Sequence, residues 1–211
     1  MRDGGNFLVA GHPIAPQPWL YTPRFIEAVQ AALLMHAHQP RKGTTIPYAS
    51  HLLGTCSIAL DYGANEDEAI AALLHDVIED VHYAPGAREA VARFGPEVLR
   101  IVEACSDTDE SPKPPWPERK RAYLARLGDA DRSVLLVSAS DKLHNARAIV
   151  ADLRRDGDAV WERFNATKAQ SLWYYRALVV AFRANPQHPV ALVEELDRTV
   201  SQMEQLAGGV R

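Results

Sequence analysis

The 211-residue sequence predicts an all-α fold, with a single helical domain over residues 22–211 behind an irregular N-terminal arm, residues 1–21. Three observations carry that expectation. From Thr22 onward apolar residues recur at helical spacing almost without a break, as helices with one buried face require. Start and stop signals punctuate the pattern: Thr22-Pro23 as cap and first-turn proline, Gly63 as a stop, Asn65-Glu-Asp-Glu68 as a capping box, and Pro96 as a second first-turn proline. Finally, no series of alternating residues reads as a set of strands, and no internal repeat occurs.

The elements follow in order. Gly4-Gly5, Gly11, Pro13, Pro16 and Pro18 interrupt the first 20 residues and make them an arm. A helix is expected over residues 22–38, then a loop from Gly43 to Pro47, then a helix carrying His51 and stopping at Gly63. The Asn65 capping box opens the next helix, which runs on through Ala71-Ala-Leu-Leu-His-Asp-Val-Ile-Glu-Asp80, because no Gly or Pro interrupts it. Pro85-Gly86 opens a short helix ending at Phe94-Gly95, and the helix from Pro96 places Val98, Ile101, Val102 and Cys105 on one face. Four prolines exclude regular structure from residues 107–117, a loop long enough to be a lid or rim. Helices resume over residues 118–127, 132–155, 158–164, 167–183 and 189–206. Val134–Val137 has a strand-like composition, but its direct continuation into Ser-Asp-Lys-Leu-His-Asn favours a buried helix.

Composition narrows the function classes. Hydrophobic content of 47% and charged content of 24% are those of a soluble globular protein. A net charge of −4 carries no footprint for general nucleic-acid binding or for an acidic membrane. No run reaches the length of a membrane span, and the N-terminus lacks a secretory signal pattern, so a cytoplasmic location is expected. Cys56 and Cys105 form no disulfide framework or zinc motif and read as reduced core thiols.

The chemistry concentrates in four places. His75-Asp76 follows an apolar run and is followed by Glu79-Asp80; on a helix His75 lies beside Glu79, and Asp76 beside Asp80. His51 sits on an upstream amphipathic segment, and Asp141 follows the apolar run beginning at Val134. His51, His75, Asp76 and Asp141 form a mixed nitrogen and oxygen set suited to Mn²⁺, Fe²⁺ or Zn²⁺. Burying such groups unpaired is expensive, and a cation is their natural partner. Glu79 and Asp80, one turn beyond, are candidates for orienting or deprotonating a water. Asn145, one turn past Asp141, faces the same site, whereas Lys142 and His144 are expected to point elsewhere. Trp173, Tyr174 and Tyr175 read as core and rim, and His36, His38 and His82 have no spacing that recruits them to the metal.

These segments together resemble the HD superfamily of metal-dependent phosphohydrolases, and more narrowly the hydrolase domain of Rel/Spo-type alarmone enzymes and the small alarmone hydrolases. Arg41-Lys-Gly-Thr-Thr-Ile-Pro-Tyr-Ala-Ser-His51 is similar to the Arg-Lys-x-Gly…Pro-Tyr-x-x-His segment of that family. Residues 71–80 resemble its Ala-Ala-Leu-Leu-His-Asp-x-x-Glu-Asp signature. Phe94-Gly-Pro-Glu-Val with the later Asp107, and Ser140-Asp-Lys-Leu-His-Asn145, complete four motifs in the family order. The resemblance spans residues 22–180. Departures are Thr45 and Ile46, which lengthen one loop, Leu52 and Val81 where the family has Pro and Thr, and the proline-rich 111–117 loop. They bear on base and phosphate preference and remove no metal ligand.

The resemblance implies an HD-type helical bundle using a divalent ion, most commonly Mn²⁺, to hydrolyse the 3′-pyrophosphate of (p)ppGpp- or (p)ppApp-type nucleotides. It implies nucleotide contacts by Arg41 and Lys42, with the Arg41 guanidinium able to stack on the base, and sugar or base recognition by Asn145. Lys168 is a further candidate for phosphate. The expected partner is a small-molecule nucleotide; the sequence leaves the oligomeric state open. Two alternatives stay open at this point: an HD-type 5′-nucleotidase, and a non-catalytic nucleotide-binding or antitoxin-like protein.

Overall fold

A computed structural model of the chain describes residues 22–80, 86–107 and 114–208, together with the backbone of residues 8–9 and 12–13. The remainder of the 1–21 arm, Val81, His82 and most of the proline-rich loop lie outside the described residues. Within the arm, β1 (Leu8–Val9) pairs antiparallel with β2 (His12–Pro13), a short hairpin in a segment expected to be irregular. Among the described residues everything else that is regular is helical.

α1 (Pro23–Met35) begins where Thr22 accepts the Arg24 amide and Pro23 occupies the first turn. It ends at Met35, three residues short of the expected end, with His36 as its cap. The loop that follows closes on itself: the Arg41 amide donates to Ile46 O at 2.8 Å, the Tyr48 amide to Gln39 O at 2.8 Å, and Pro40 bridges Pro47. Gly43 turns it at φ 69°, and a Cβ there would come within 2.7 Å of the Arg163 side chain. Thr45 and Ile46, expected to lengthen this loop, lie within that turn.

α2 (Ala49–Asp61) carries His51, and α3 (Glu66–Leu74) starts from a complete Asn65–Glu68 capping box. The expected continuous helix through Asp80 is broken. α3 ends at Leu74, His75-Asp76 form a turn, and α4 (Val77–Asp80) resumes after it. One bond from the Asp80 amide to Asp76 O at 2.8 Å keeps the helical spacing across the break. α5 (Ala87–Ala92) and α6 (Pro96–Cys105) follow. α7 (Trp116–Arg126) starts two residues earlier than expected, because Pro117 falls in the first turn, where its missing N–H costs nothing. α8 (Arg132–Asp156) runs 25 residues and includes Val134–Val137 as helix. A 3₁₀ segment (Gly157–Arg163) stands where an α-helix was expected, and α9 (Lys168–Ala184) and α10 (Val190–Ala207) complete the chain.

Two apolar clusters make the core. One joins α1, α2, α3, α5 and α6 around Leu52, Ile70, Leu73 and Ile101; the other joins α7 to α10 around Leu136, Leu143, Leu178 and Phe182. α2 and α8 contribute to both, with Ile58 in one and Leu52 in the other, Val137 in one and Leu136 in the other. These two helices form the seam, and both carry expected ligands. Cys56 and Cys105 are free thiols, each pushed up to about 12 by burial. Among the described residues no helix is long and apolar enough to cross a membrane.

Candidate metal centre

α2 supplies His51, the turn ending α3 supplies His75 and Asp76, and the middle of α8 supplies Asp141. The break after Leu74 has a local consequence: His75 Nδ1 lies 2.9 Å from Ala72 O, in the last turn of α3. Only a ring N–H can satisfy that carbonyl, so the proton of a neutral His75 resides on Nδ1 and Nε2 presents a lone pair. Around that lone pair, His75 Nε2 lies 3.2 Å from His51 Nε2, 3.0 Å from Asp76 Oδ2 and 3.6 Å from Asp141 Oδ1. His51 Nε2 is 3.2 Å from Asp141 Oδ1 and 3.4 Å from Asp76 Oδ2. One donor atom each from His51, His75 and Asp141 lies within 4.8 Å of the others, and all three residues are buried.

This donor set fits a divalent ion. Ligands bound at roughly 2.0–2.2 Å to one ion lie about 3.0–3.6 Å from each other, the spread found here. The alternative partner for the carboxylates is a proton on an imidazole. Burial opposes charge on His75, yet the adjoining Asp76 and Asp141 hold it well above the usual His range. Burial likewise opposes ionisation of Asp76 and Asp141; His75 and His51 hold the first well below the usual carboxylate range, and Lys142 with both imidazoles does so for the second. The pocket is therefore built to hold positive charge.

Each carboxylate has a support. The Tyr48 hydroxyl donates to Asp76 Oδ2 at 2.5 Å, and burial beside Asp76 and Asp80 raises its pKa far out of reach, so it remains a donor. Asn145 Nδ2 donates to Asp141 Oδ1 at 2.6 Å, and Lys142 Nζ to Asp141 Oδ2 at 2.5 Å. Burial disfavours the Lys142 ammonium, but Asp141 holds its pKa well above the ordinary Lys value. Arg41 reaches over from its loop to donate to Asn145 Oδ1 at 2.9 Å.

Tyr48, Lys142 and Asn145 also line a cavity of about 270 Å³ with Arg41, Lys42 and Lys120. A second cavity of about 400 Å³ shares Lys42, Lys120, Tyr174 and Tyr175 with it and is lined by Glu79 and Asp80. The residues that support the cluster thus line one cavity, and the second, which shares walls with it, carries cations as well as the two carboxylates. Gln39 Nε2 donates to Asp80 Oδ2 at 2.8 Å, and the Asp107 amide to Glu79 Oε2 at 3.3 Å. Buried Asp107, paired with Arg119 and Lys120, carries both cations to the second cavity; burial opposes its ionisation, but those two partners hold its pKa low.

The structure therefore brings together His51, His75, Asp76, Asp141, Arg41 and Asn145, with Lys42, Glu79 and Asp80 on the adjoining cavity walls. Lys168 is not brought in: its Nζ pairs with Asp158 at 2.7 Å on the surface, lining neither cavity, because residue 168 begins α9 and points to the 3₁₀ segment. Tyr174 and Tyr175 are buried as expected, yet both edge the cavities, whereas Trp173 stays exposed. Two residues expected to point elsewhere belong to the site. Lys142 folds its long stem back onto Asp141, which residue spacing does not forecast. His144 Nδ1 lies 3.0 Å from His51 Nδ1, and the signal was present: residues i and i+3 are about 60° apart on a helix, so His144 shares the Asp141 face. Burial, with His51 and Arg41 beside it, pushes His144 down to about 4, so its ring is neutral at pH 7. Tyr48 stood in the Pro-Tyr-x-x-His segment without being given a role, whereas Arg119 and Lys120 carried no pattern that would have singled them out.

Known proteins resemble the chain in the same region. The family profile described as HD domain matches residues 28–170. The guanosine-3′,5′-bis(diphosphate) 3′-pyrophosphohydrolase MESH1 of Drosophila melanogaster is 30% identical over 150 residues, 66% of this chain and 81% of that protein. The GTP pyrophosphokinase rsh of Brucella ovis is 34% identical over 122 residues, 56% of this chain but 16% of that longer protein. A solved structure, described as a metazoan ortholog of SpoT that hydrolyses ppGpp and plays a role in starvation responses, superposes with a TM-score of 0.68 at 28% identity. That match covers 89% of this chain and 98% of the other.

Proposed function

This chain belongs to the HD-domain family, and from that membership we propose that it is a metal-dependent hydrolase of the 3′-pyrophosphate of ppGpp-type alarmones, releasing pyrophosphate. One observation carries the reading: a buried cluster of His51, His75 and Asp141, with half-buried Asp76 beside it, lies next to two cavities that share walls and are lined by Arg41, Lys42, Lys120, Glu79 and Asp80. The relatives named for this reaction support it.

His51, His75, Asp76 and Asp141 would hold the ion, with Mn²⁺ the preferred metal and Zn²⁺ or Fe²⁺ compatible with the same donors. A bound divalent ion supplies Lewis acidity to a phosphate oxygen and lowers the pKa of water. The chain's own groups do the rest. Lys42, Lys120 and Arg119 neutralise the phosphates, while Arg41 and Asn145 receive the nucleoside. Glu79 and Asp80, held by the Asp107 amide and by Gln39, accept the proton of the attacking water; as adjacent acids they act as one coupled pair. The new bond joins water oxygen to the phosphorus next to the ribose; the bond from that phosphorus to the 3′-oxygen breaks, and the proton taken up by the carboxylate pair passes to that oxygen, leaving a 3′-hydroxyl and pyrophosphate. The ppApp-type nucleotides remain a second substrate class to be tested beside ppGpp.

The test is incubation with Mn²⁺ and each nucleotide, followed by anion-exchange chromatography. Pyrophosphate and the 3′-hydroxyl nucleotide are the expected products. No release from either nucleotide would sink the reading, and inorganic phosphate from 5′-mononucleotides would favour a nucleotidase. A His75→Ala/Asp76→Ala variant that kept its biological effect would point to sequestration.

A further inference from the structure

We propose that His144 is a positioning residue that fixes His51 in its metal-binding tautomer, with Gly54 leaving the space it needs. The inference rests on the reading that His51, His75, Asp76 and Asp141 hold a divalent ion. It begins from an ambiguity in His51 itself. A neutral imidazole binds a metal only through the nitrogen without a proton, and His51 offers two nitrogens. Nε2 faces the cluster, so Nδ1 must carry the proton, and that proton needs an acceptor.

His144 Nδ1, at 3.0 Å, is the nearer of two polar neighbours of His51 Nδ1; Thr55 Oγ1 is at 3.4 Å. Two facing ring nitrogens can share a hydrogen bond in either direction, so the pair alone does not choose. Arg41 does. Its Nη1 lies 3.4 Å from the same His144 Nδ1. A guanidinium only donates. His144 Nδ1 must therefore hold a lone pair, and the bond to His51 runs from His51 Nδ1–H to His144. The proton on His51 is thereby kept away from Nε2, which stays free for the ion. His75 reaches the same state through a backbone carbonyl, Ala72 O; His51, in the first turn of α2, has side chains beside its Nδ1 instead, the nearer of them from α8.

The packing is built around this contact. A Cβ on Gly54 would overlap the His144 ring, with Cδ2 and Nε2 as the nearest atoms. The glycine lies in the middle of α2, where glycine costs helix stability, so its presence answers to the ring across the seam. Arg41 in turn joins both sides of the centre, to His51 through His144 and to Asp141 through Asn145.

The experiment measures Mn²⁺ affinity of the full-length protein by competition with a fluorescent chelator. His144→Phe keeps a ring beside Gly54 and removes the acceptor; His144→Asn restores an acceptor near the Nδ1 position. The Phe variant should bind Mn²⁺ roughly 10- to 100-fold more weakly than wild type, with the Asn variant recovering most of the loss. Wild-type affinity in the Phe variant overturns the proposal, as does an Asn variant as weak as Phe. Long-range ¹H–¹⁵N spectra of the wild-type protein, alone and with Zn²⁺, test it without any substitution. A protonated His51 Nδ1 is expected, and a bare one overturns it. Failure of the wild type to bind any divalent ion would instead overturn the metal reading itself.

Discussion

At the scale of single residues, the site depends on which groups keep their charge where water is scarce. Lys120 shows this most clearly. Burial, together with the Lys142 ammonium nearby, lowers its pKa below the ordinary Lys value, although Asp107 pulls the other way. A lowered Lys loses its charge as pH rises through that value, so phosphate affinity should fall on an alkaline limb that begins earlier than for a solvent-exposed lysine. KM measured against pH should rise along that limb, and Lys120→Arg should move it to higher pH, since guanidinium does not titrate there. A limb unchanged in the Arg variant would remove Lys120 from the phosphate contacts. At the centre itself, Asp141→Ala removes one of the proposed ligands and leaves half-buried Lys142 without its partner. It should abolish tight Mn²⁺ binding in calorimetry and also destabilise the fold, by less than the roughly 3–5 kcal/mol of a fully buried pair, because Lys142 lines a cavity that water can enter.

At the scale of elements, the termini of short helices aim the ligands. α3 is nine residues long, and its far end presents His75 and Asp76. The Asn65–Glu68 capping box satisfies two amides at its start, the Glu68 amide to Asn65 Oδ1 at 3.0 Å and the Asn65 amide to Glu68 Oε2 at 2.8 Å. Asn65→Ala should cost about 1 kcal/mol in chemical denaturation, with little change in metal affinity if α3 stays docked on α2, α6 and α8. A loss of metal binding without a loss of stability would show that the cap does more than hold the helix. The seam between α2 and α8 is less forgiving. Gly54→Ala drives a methyl into the His144 ring and should destabilise by about 1–3 kcal/mol, as overpacking does; a neutral effect would mean that the two helices separate easily.

At the scale of the whole molecule, two apolar clusters meet along α2 and α8, and the ligands come from both sides of that boundary. An ion bound there ties the clusters together, and anything that binds the folded state alone stabilises it. Mn²⁺ at a hundred times its dissociation constant should add about 2.7 kcal/mol and raise Tm measurably, with the gain reversed by chelator. No shift with Mn²⁺, Zn²⁺ or Fe²⁺ would contradict a centre shared between the clusters.

Most of the helices, and the segments on which four candidate donors stand, were legible in the chain because periodicity, caps and glycine stops act over a few neighbouring residues. The break at His75-Asp76 escaped that reading: no Gly or Pro marks it, and the Ala72 carbonyl that stabilises it is taken by a side chain. The short-range rules also assign directions about a single helix axis only. They could put His144 on the Asp141 face but not say that Gly54 of another helix stands opposite, nor that the Lys142 stem folds back or that Lys168 is spent on Asp158. Arg119 and Lys120 became part of the site only when distant segments packed. Which donors meet is settled by packing between helices far apart in the chain, and that information is absent from any local stretch of it.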